Sequence, residues 1–139
     1  MLYFCTCNQT RTLNNEHVIT DSQTIMLIKK NKETLLHCNV AGFGHTEGYL
    51  VLNQLKPGDK LTMMREDENK FDHNAIALFY KELHIGYIPQ QHNNLFATMM
   101  DFGYADIFEC IITSIDTREH PNNQIHIRVN LLRKSNTVI

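Results

Sequence analysis

The chain has 139 residues, 42% hydrophobic and 20% charged, and a formal net charge of −2. That length suits one domain with a buried core and is short for two. The charge excludes a protein that coats a long phosphate backbone, since such binding needs a large positive excess, so any nucleic acid held here spans only a few nucleotides.

No apolar run approaches the roughly 20 residues of a membrane helix. Met1-Leu2-Tyr3-Phe4-Cys5 lacks a basic start, a full apolar stretch and a small-residue cleavage site, so no signal peptide is expected and a cytoplasmic setting is the default. Residues 1–23 form a polar N-terminal segment in which Leu2-Tyr3-Phe4 either adds an edge strand or frays, and the domain proper is expected over 24–139. Thr24–Lys30 and Thr34–Ala41 read as a hairpin about the turn Asn31-Lys32-Glu33, with Leu36, Cys38 and Val40 on one face. Lys29, Lys30 and Lys32 read as its solvated end. Gly42-Phe43-Gly44-His45-Thr46-Glu47-Gly48 then breaks the strand, and with no adequate helix before Pro57-Gly58-Asp59 it is not a dinucleotide-binding fingerprint.

Lys60–Arg65 alternates Leu61 and Met63 against Thr62 and Met64. A polar loop follows, and then Asn74–Tyr80, a tight turn at Lys81-Glu82, and Leu83–Ile88. His84 and His126 are expected to be exposed on the polar faces of strands. Pro89 changes the period. Leu95, Met99 and Phe102, with Phe96 and Met100 beside them, predict a helix over about 89–102, with Gly103 at its C-terminal cap. Ile107–Ile115 returns to strand, with Tyr104 and Phe108 expected in the core. Ile125, Ile127, Val129 and Leu131 alternate cleanly against His126, Arg128 and Asn130. Strands with one late helix exclude a doubly wound sheet. The expected fold is mainly β: a small six-stranded OB-like β-barrel with one inserted helix.

Four cysteines are present. Cys38 and Cys110 sit in apolar runs and read as buried thiols, while Cys5 and Cys7 form a lone C-x-C. No C-x-x-C or H-x-x-x-H pair occurs, so no metal or other cofactor is assigned. The loop Arg65-Glu66-Asp67-Glu68-Asn69-Lys70-Phe71-Asp72-His73-Asn74 is the richest in chemistry. Its Asp and Asn oxygens miss the glycine and the bidentate Glu of a calcium loop. A structural role is open to it, with Asx turns at Asp72 and Asn74 and an ion pair from Arg65 to Glu66 or Asp72. An aromatic ring between Lys70 and Asp72 also suits contact with a ligand. One acidic loop without a second acidic strand does not build a two-metal phosphoesterase, and no catalytic residue is assigned.

Val40-Ala41-Gly42-Phe43, Leu55-Lys56-Pro57-Gly58-Asp59, Arg65-Glu66, Asn69-Lys70-Phe71-Asp72-His73-Asn74-Ala75-Ile76 and Gly86-Tyr87-Ile88-Pro89 occur in that order. Together, over roughly His37 to Leu132, they resemble the HIRAN domain family. The family is found at the front of Snf-type DNA translocases and as free-standing bacterial proteins. A chain of this length has no room for a translocase motor, so a free-standing member is expected.

The resemblance implies a non-catalytic module that grips the 3′-hydroxyl end of single-stranded DNA in a repair or replication-fork setting, with DNA-repair or translocase proteins as partners. It places Phe71 where a ring stacks on a terminal base, Asp72 where a carboxylate accepts the 3′-hydroxyl, and Asn69 and Tyr87 near the backbone. His45 and Arg65 complete the implied set. Gly44 and His45 stand where DNA-binding relatives carry a basic and an aromatic residue, and Gln90 replaces a Lys. Weaker binding than in the translocase members is expected, and the alternative is a protein-interaction module that kept the fold and lost the DNA site.

Overall fold

The computed structural model describes residues 31–134. The expected strand Thr24–Lys30, the segment 1–23, Cys5 and Cys7 lie outside the described residues. Six antiparallel strands form one sheet: β1 (Lys32–Asn39), β2 (Lys60–Arg65), β3 (Ile76–Tyr80), β4 (Leu83–Tyr87), β5 (Phe108–Ile115) and β6 (Ile125–Leu132). Their order across the sheet is β1-β6-β5-β2-β3-β4. Among the described residues there is one α-helix, α1 (Asn94–Asp101), between β4 and β5. No described helix is long and apolar enough to cross a membrane. The mainly β, OB-like architecture expected from the strand pattern is the one observed.

The sheet curls because β2 divides its pairing. Lys60 and Leu61 pair with Ile111 and Cys110 of β5, whereas Thr62 to Arg65 pair with Phe79 to Ile76 of β3. Register shifts at Thr34/Leu36, Leu78/Phe79 and Ile112/Ser114 add bends of the kind a bulge produces. The sheet stays open along its ladders. One antiparallel bridge ties the chain just past β1 to the end of β4: Ala41 N–H donates to Tyr87 O and Tyr87 N–H to Ala41 O, each at 2.9 Å.

That bridge needs a glycine next to it. Gly86 has φ +151, and a Cβ there would lie 2.3 Å from Val40 Cγ1 and 2.6 Å from Ala41 O. A side chain at position 86 has no room beside the Val40 side chain and the Ala41 carbonyl.

Alternation placed the core correctly on most strands. Leu61, Ile76, Leu78, Ile85, Cys110, Ile112, Ile125, Ile127 and Val129 are buried in one cluster, with Leu36, Cys38 and Met63 packed against it. Phe43, Val51 and Leu55 join from the β1–β2 connection, and Ile88, Phe96 and Ala97 from the β4–β5 connection. Burial pushes the Cys38 thiol up to about 11 and the Cys110 thiol to about 12, so both stay protonated and unreactive at neutral pH.

The helix begins later than expected, after a 3₁₀ turn at Gln90–His92, and its buried face is differently phased. Phe96 and Ala97 are buried and Met100 packs on the core, whereas Leu95 and Phe102 stand out in solvent. Phe96 meets Phe108 edge-on, with centroids 5.1 Å apart. Gly103, at φ +94, ends the helix where the pattern put it. Tyr104 is not core but partly exposed, with Lys134 over its ring.

A polar network braces the other half of the sheet. Glu109 accepts from Lys32 at 2.8 Å, Lys60 at 3.3 Å and the Asn130 amide at 3.2 Å, and Thr34 donates to the Asn130 oxygen at 3.0 Å. Lys32 is therefore paired across strands while its side chain stays 48% exposed, on the solvated surface that its place in the lysine cluster suggested. The Lys32 hydrogen bond is the main cause that lowers the Glu109 carboxyl from 4.5 to about 2.

Gly86→Ala should destabilise the domain by about 2 kcal/mol or more through strain and overpacking, measured by chemical denaturation. Glu109 takes up its proton near 4.5 when unfolded and near 2 when folded, so the stability it adds is present above pH 4.5 and lost as pH falls toward 2. Glu109→Gln should flatten that acid limb in denaturation midpoints recorded across this window.

Candidate nucleic-acid interface

The polar loop 66–75 is organised from within. Asn69 Oδ1 accepts from the N–H groups of Phe71 (2.9 Å) and Asp72 (3.1 Å), and Asp72 Oδ1 accepts from Asn74 N–H at 2.9 Å. These consecutive Asx turns give the tip its shape and leave no freedom to bury the ring between them. Phe71 is 94% exposed.

Arg65 fastens the loop at its base. Its guanidinium donates to Ala75 O (2.9 Å) and His73 O (3.1 Å), and it makes a two-point contact with Asp101, Nε to Oδ1 at 2.8 Å and Nη2 to Oδ2 at 3.0 Å. The expected ion pair to Glu66 or Asp72 is replaced by this one to the last residue of α1. The pairing raises the pKa of Arg65 and lowers that of Asp101. With four hydrogen bonds inside the protein, Arg65 is engaged in positioning the loop.

The structure gathers Asn69, Phe71, Asp72 and Tyr87 around one concavity of about 260 Å³, walled also by Ala41, Ala75, Ile88 and Gln90. His45 and Arg65 do not line it. His45 ends a 3₁₀ turn at Phe43–His45 and is exposed. The walls are mostly apolar and small, so a flat ligand could lie against them beside the Phe71 ring. Asp72 lines this concavity, and its Oδ2 accepts from the Asn93 amide at 2.7 Å. Each carboxylate oxygen has used one acceptor direction on the protein and keeps another for a ligand donor.

Three supporting residues escaped the sequence reading of roles. Glu66 Oε1 accepts both the Asn69 amide and the Tyr87 hydroxyl, each at 3.1 Å, and so joins two of the expected residues. Burial first, and this bond second, raise the Tyr87 pKa above 10, which keeps its hydroxyl a donor. Asn93 is 1% exposed, and its Oδ1 has no hydrogen-bond partner. Nothing in the pattern set it apart from an ordinary helix-start residue. His84 was expected on the surface, but it is half-buried between Phe79 and Tyr87, at centroid distances of 5.2 and 4.8 Å, with Nε2 2.9 Å from Gly86 O. His126 is half-buried as well.

Among the described residues, no group of three or more His, Cys, Asp or Glu side chains converges as metal ligands would.

Comparison with known proteins fits this arrangement. Residues 34–131 match the family model described as the HIRAN domain. A protein from Lactobacillus plantarum has a similar structure, with a TM-score of 0.62 and 24% sequence identity, over 74% of this chain and 97% of that one. The HIRAN domain of human HLTF is similar at a TM-score of 0.50 and 16% identity, over 75% of this chain and 83% of that one. At such identities the two structures speak for the fold alone. A search of the curated proteins finds no significant match. The family model spans most of the chain and takes in the bridge, the polar loop and every wall of the cleft: this chain belongs to the HIRAN domain family.

Proposed function

We propose that the chain is a non-catalytic module that binds the free 3′-hydroxyl end of single-stranded DNA. The observation that carries this reading is the pairing of an outward Phe71 ring with an adjacent carboxylate, Asp72, on one small cleft. A ring stacks on any base and is worth about 1–3 kcal/mol per base without selecting among them. A carboxylate accepts a hydrogen bond from a terminal hydroxyl and repels a terminal phosphate, so it distinguishes a free end from a blocked one. Asn69 and Tyr87 supply the neutral polar edge. Membership of the HIRAN family supports the nucleic-acid class of ligand, and DNA repair or fork processing is the setting that the family suggests.

A second reading, a protein-interaction module on the same scaffold, draws on Leu95 and Phe102, two apolar side chains of the helix region that are 60% and 77% exposed. Retention of a stable protein partner by a chain that ignores DNA ends would favour it.

Fluorescence anisotropy with short oligonucleotides separates these readings. A strand with a free 3′-hydroxyl should bind about tenfold or more tightly than the same strand with a 3′-phosphate. Phe71→Ala should weaken both by roughly tenfold, and Asp72→Asn should narrow the gap between them. Equal affinity of the wild type for the two ends removes the role given to Asp72. Binding should also fall only gently with salt, corresponding to about two to four neutralised phosphates.

A further inference from the structure

A strand whose end rests on Phe71 and Asp72 must leave the cleft in some direction, and charge decides which. On the loop side stand Glu66, Asp67 and Glu68, which repel phosphates. Across Ala41 and Gln90, which wall both spaces, lies a larger groove of about 420 Å³. Its lining is rich in amides, among them Asn39, Gln91 and Asn122, and has no carboxylate, lysine or arginine. Two of its lining residues can acquire a positive charge, His37 and His92.

We propose that this groove holds the nucleotides on the 5′ side of the bound end, and that His37 and His92 meet their phosphates. A strand long enough to cross Ala41 and Gln90 is then held more tightly as the pH falls. This rests on the reading of the neighbouring cleft as a 3′-end site.

The surroundings favour an anion. His37 leaves β1 opposite Arg128 of β6, so a fixed cation is its cross-strand partner. Beyond His37 the surface continues into a hollow of about 280 Å³ that His126 also lines, and Asp116 is within electrostatic reach of that ring. His92 closes the 3₁₀ turn Gln90–His92, with its N–H on Pro89 O at 2.9 Å. The next residue, Asn93, ties down the Asp72 carboxylate of the neighbouring cleft. The Cys38 thiol in the lining stays neutral. Histidine is the side chain whose charge in general changes between about pH 5 and 8, which makes pH the variable that tests for phosphates against His37 and His92.

The test uses the full chain and oligothymidines, whose bases do not titrate near neutrality. A dinucleotide that reaches only the cleft is compared with an octanucleotide that crosses into the groove. Both carry a free 3′-hydroxyl, and anisotropy is read at about pH 5.5 and about pH 7.5 at one ionic strength. The octanucleotide should tighten about tenfold at the lower pH and the dinucleotide less than about twofold, and the salt slope of the octanucleotide should steepen by about 1.4 for two added charges. His37→Gln combined with His92→Gln, checked for folding by circular dichroism, should abolish the gain and leave dinucleotide binding unchanged. A gain of the same size in that variant, or equal gains for both lengths, overturns the groove. Binding of both lengths without pH dependence removes the groove and spares the end site, whereas failure of either oligonucleotide to bind at either pH removes both.

Discussion

The pair of hydrogen bonds between Ala41 and Tyr87 is the joint on which the domain turns. Six strands paired in the order observed would otherwise leave the end of β4 and the continuation of β1 as unconnected margins of a curled sheet. The joint also sets two walls of the cleft, because Ala41 and Tyr87 both line it. It exists because position 86 has no side chain: the Val40 side chain and the Ala41 carbonyl occupy the volume that any Cβ would take. A local steric fact therefore governs both the joint and the cleft beside it.

From that joint the order of the site extends outward through short polar links. Tyr87 meets Glu66, Glu66 meets Asn69, and Asn69 shapes the backbone around Phe71 and Asp72. From the opposite side, Arg65 ties the base of the loop to the end of α1 and Asn93 holds the Asp72 carboxylate. None of these bonds is individually strong at a partly exposed site, each being worth on the order of 1 kcal/mol net. Together they leave the loop few alternative shapes, so an aromatic side chain can stand in water without collapsing onto the sheet.

Period-two alternation made the strands legible: Leu61 with Met63, and Ile125 with Ile127 and Val129, faced the core as their spacing required. The helix was less so. Leu95 and Phe102 look like core residues by size, yet the buried face is set by Phe96, Ala97 and Met100, and alanine carries almost no hydropathic signal. The grouping of Asn69, Phe71, Asp72 and Tyr87 followed from the family's ordered motifs, not from spacing. Its supports stayed hidden because they act across the chain. Arg65 finds Asp101 36 residues away and Asp72 finds Asn93 21 residues away, and no local pattern marks such partners. His84 misled for a similar reason: its place on the polar face of a strand suggested solvent, but two neighbouring rings cover it.

Two of the residues that wall the cleft are alanines, Ala41 and Ala75. Neither participates in the turns that shape the loop through its side chain, and the backbone bonds that each makes are open to any non-proline residue. A bulkier residue at the half-buried Ala41 would fill part of the hollow while the strands kept their partners, whereas Ala75, 3% exposed, is already hemmed in. Scaffold and cleft are thus written in different letters of the chain, and a lineage can lose the hollow by gaining a few carbon atoms, long before it loses its shape.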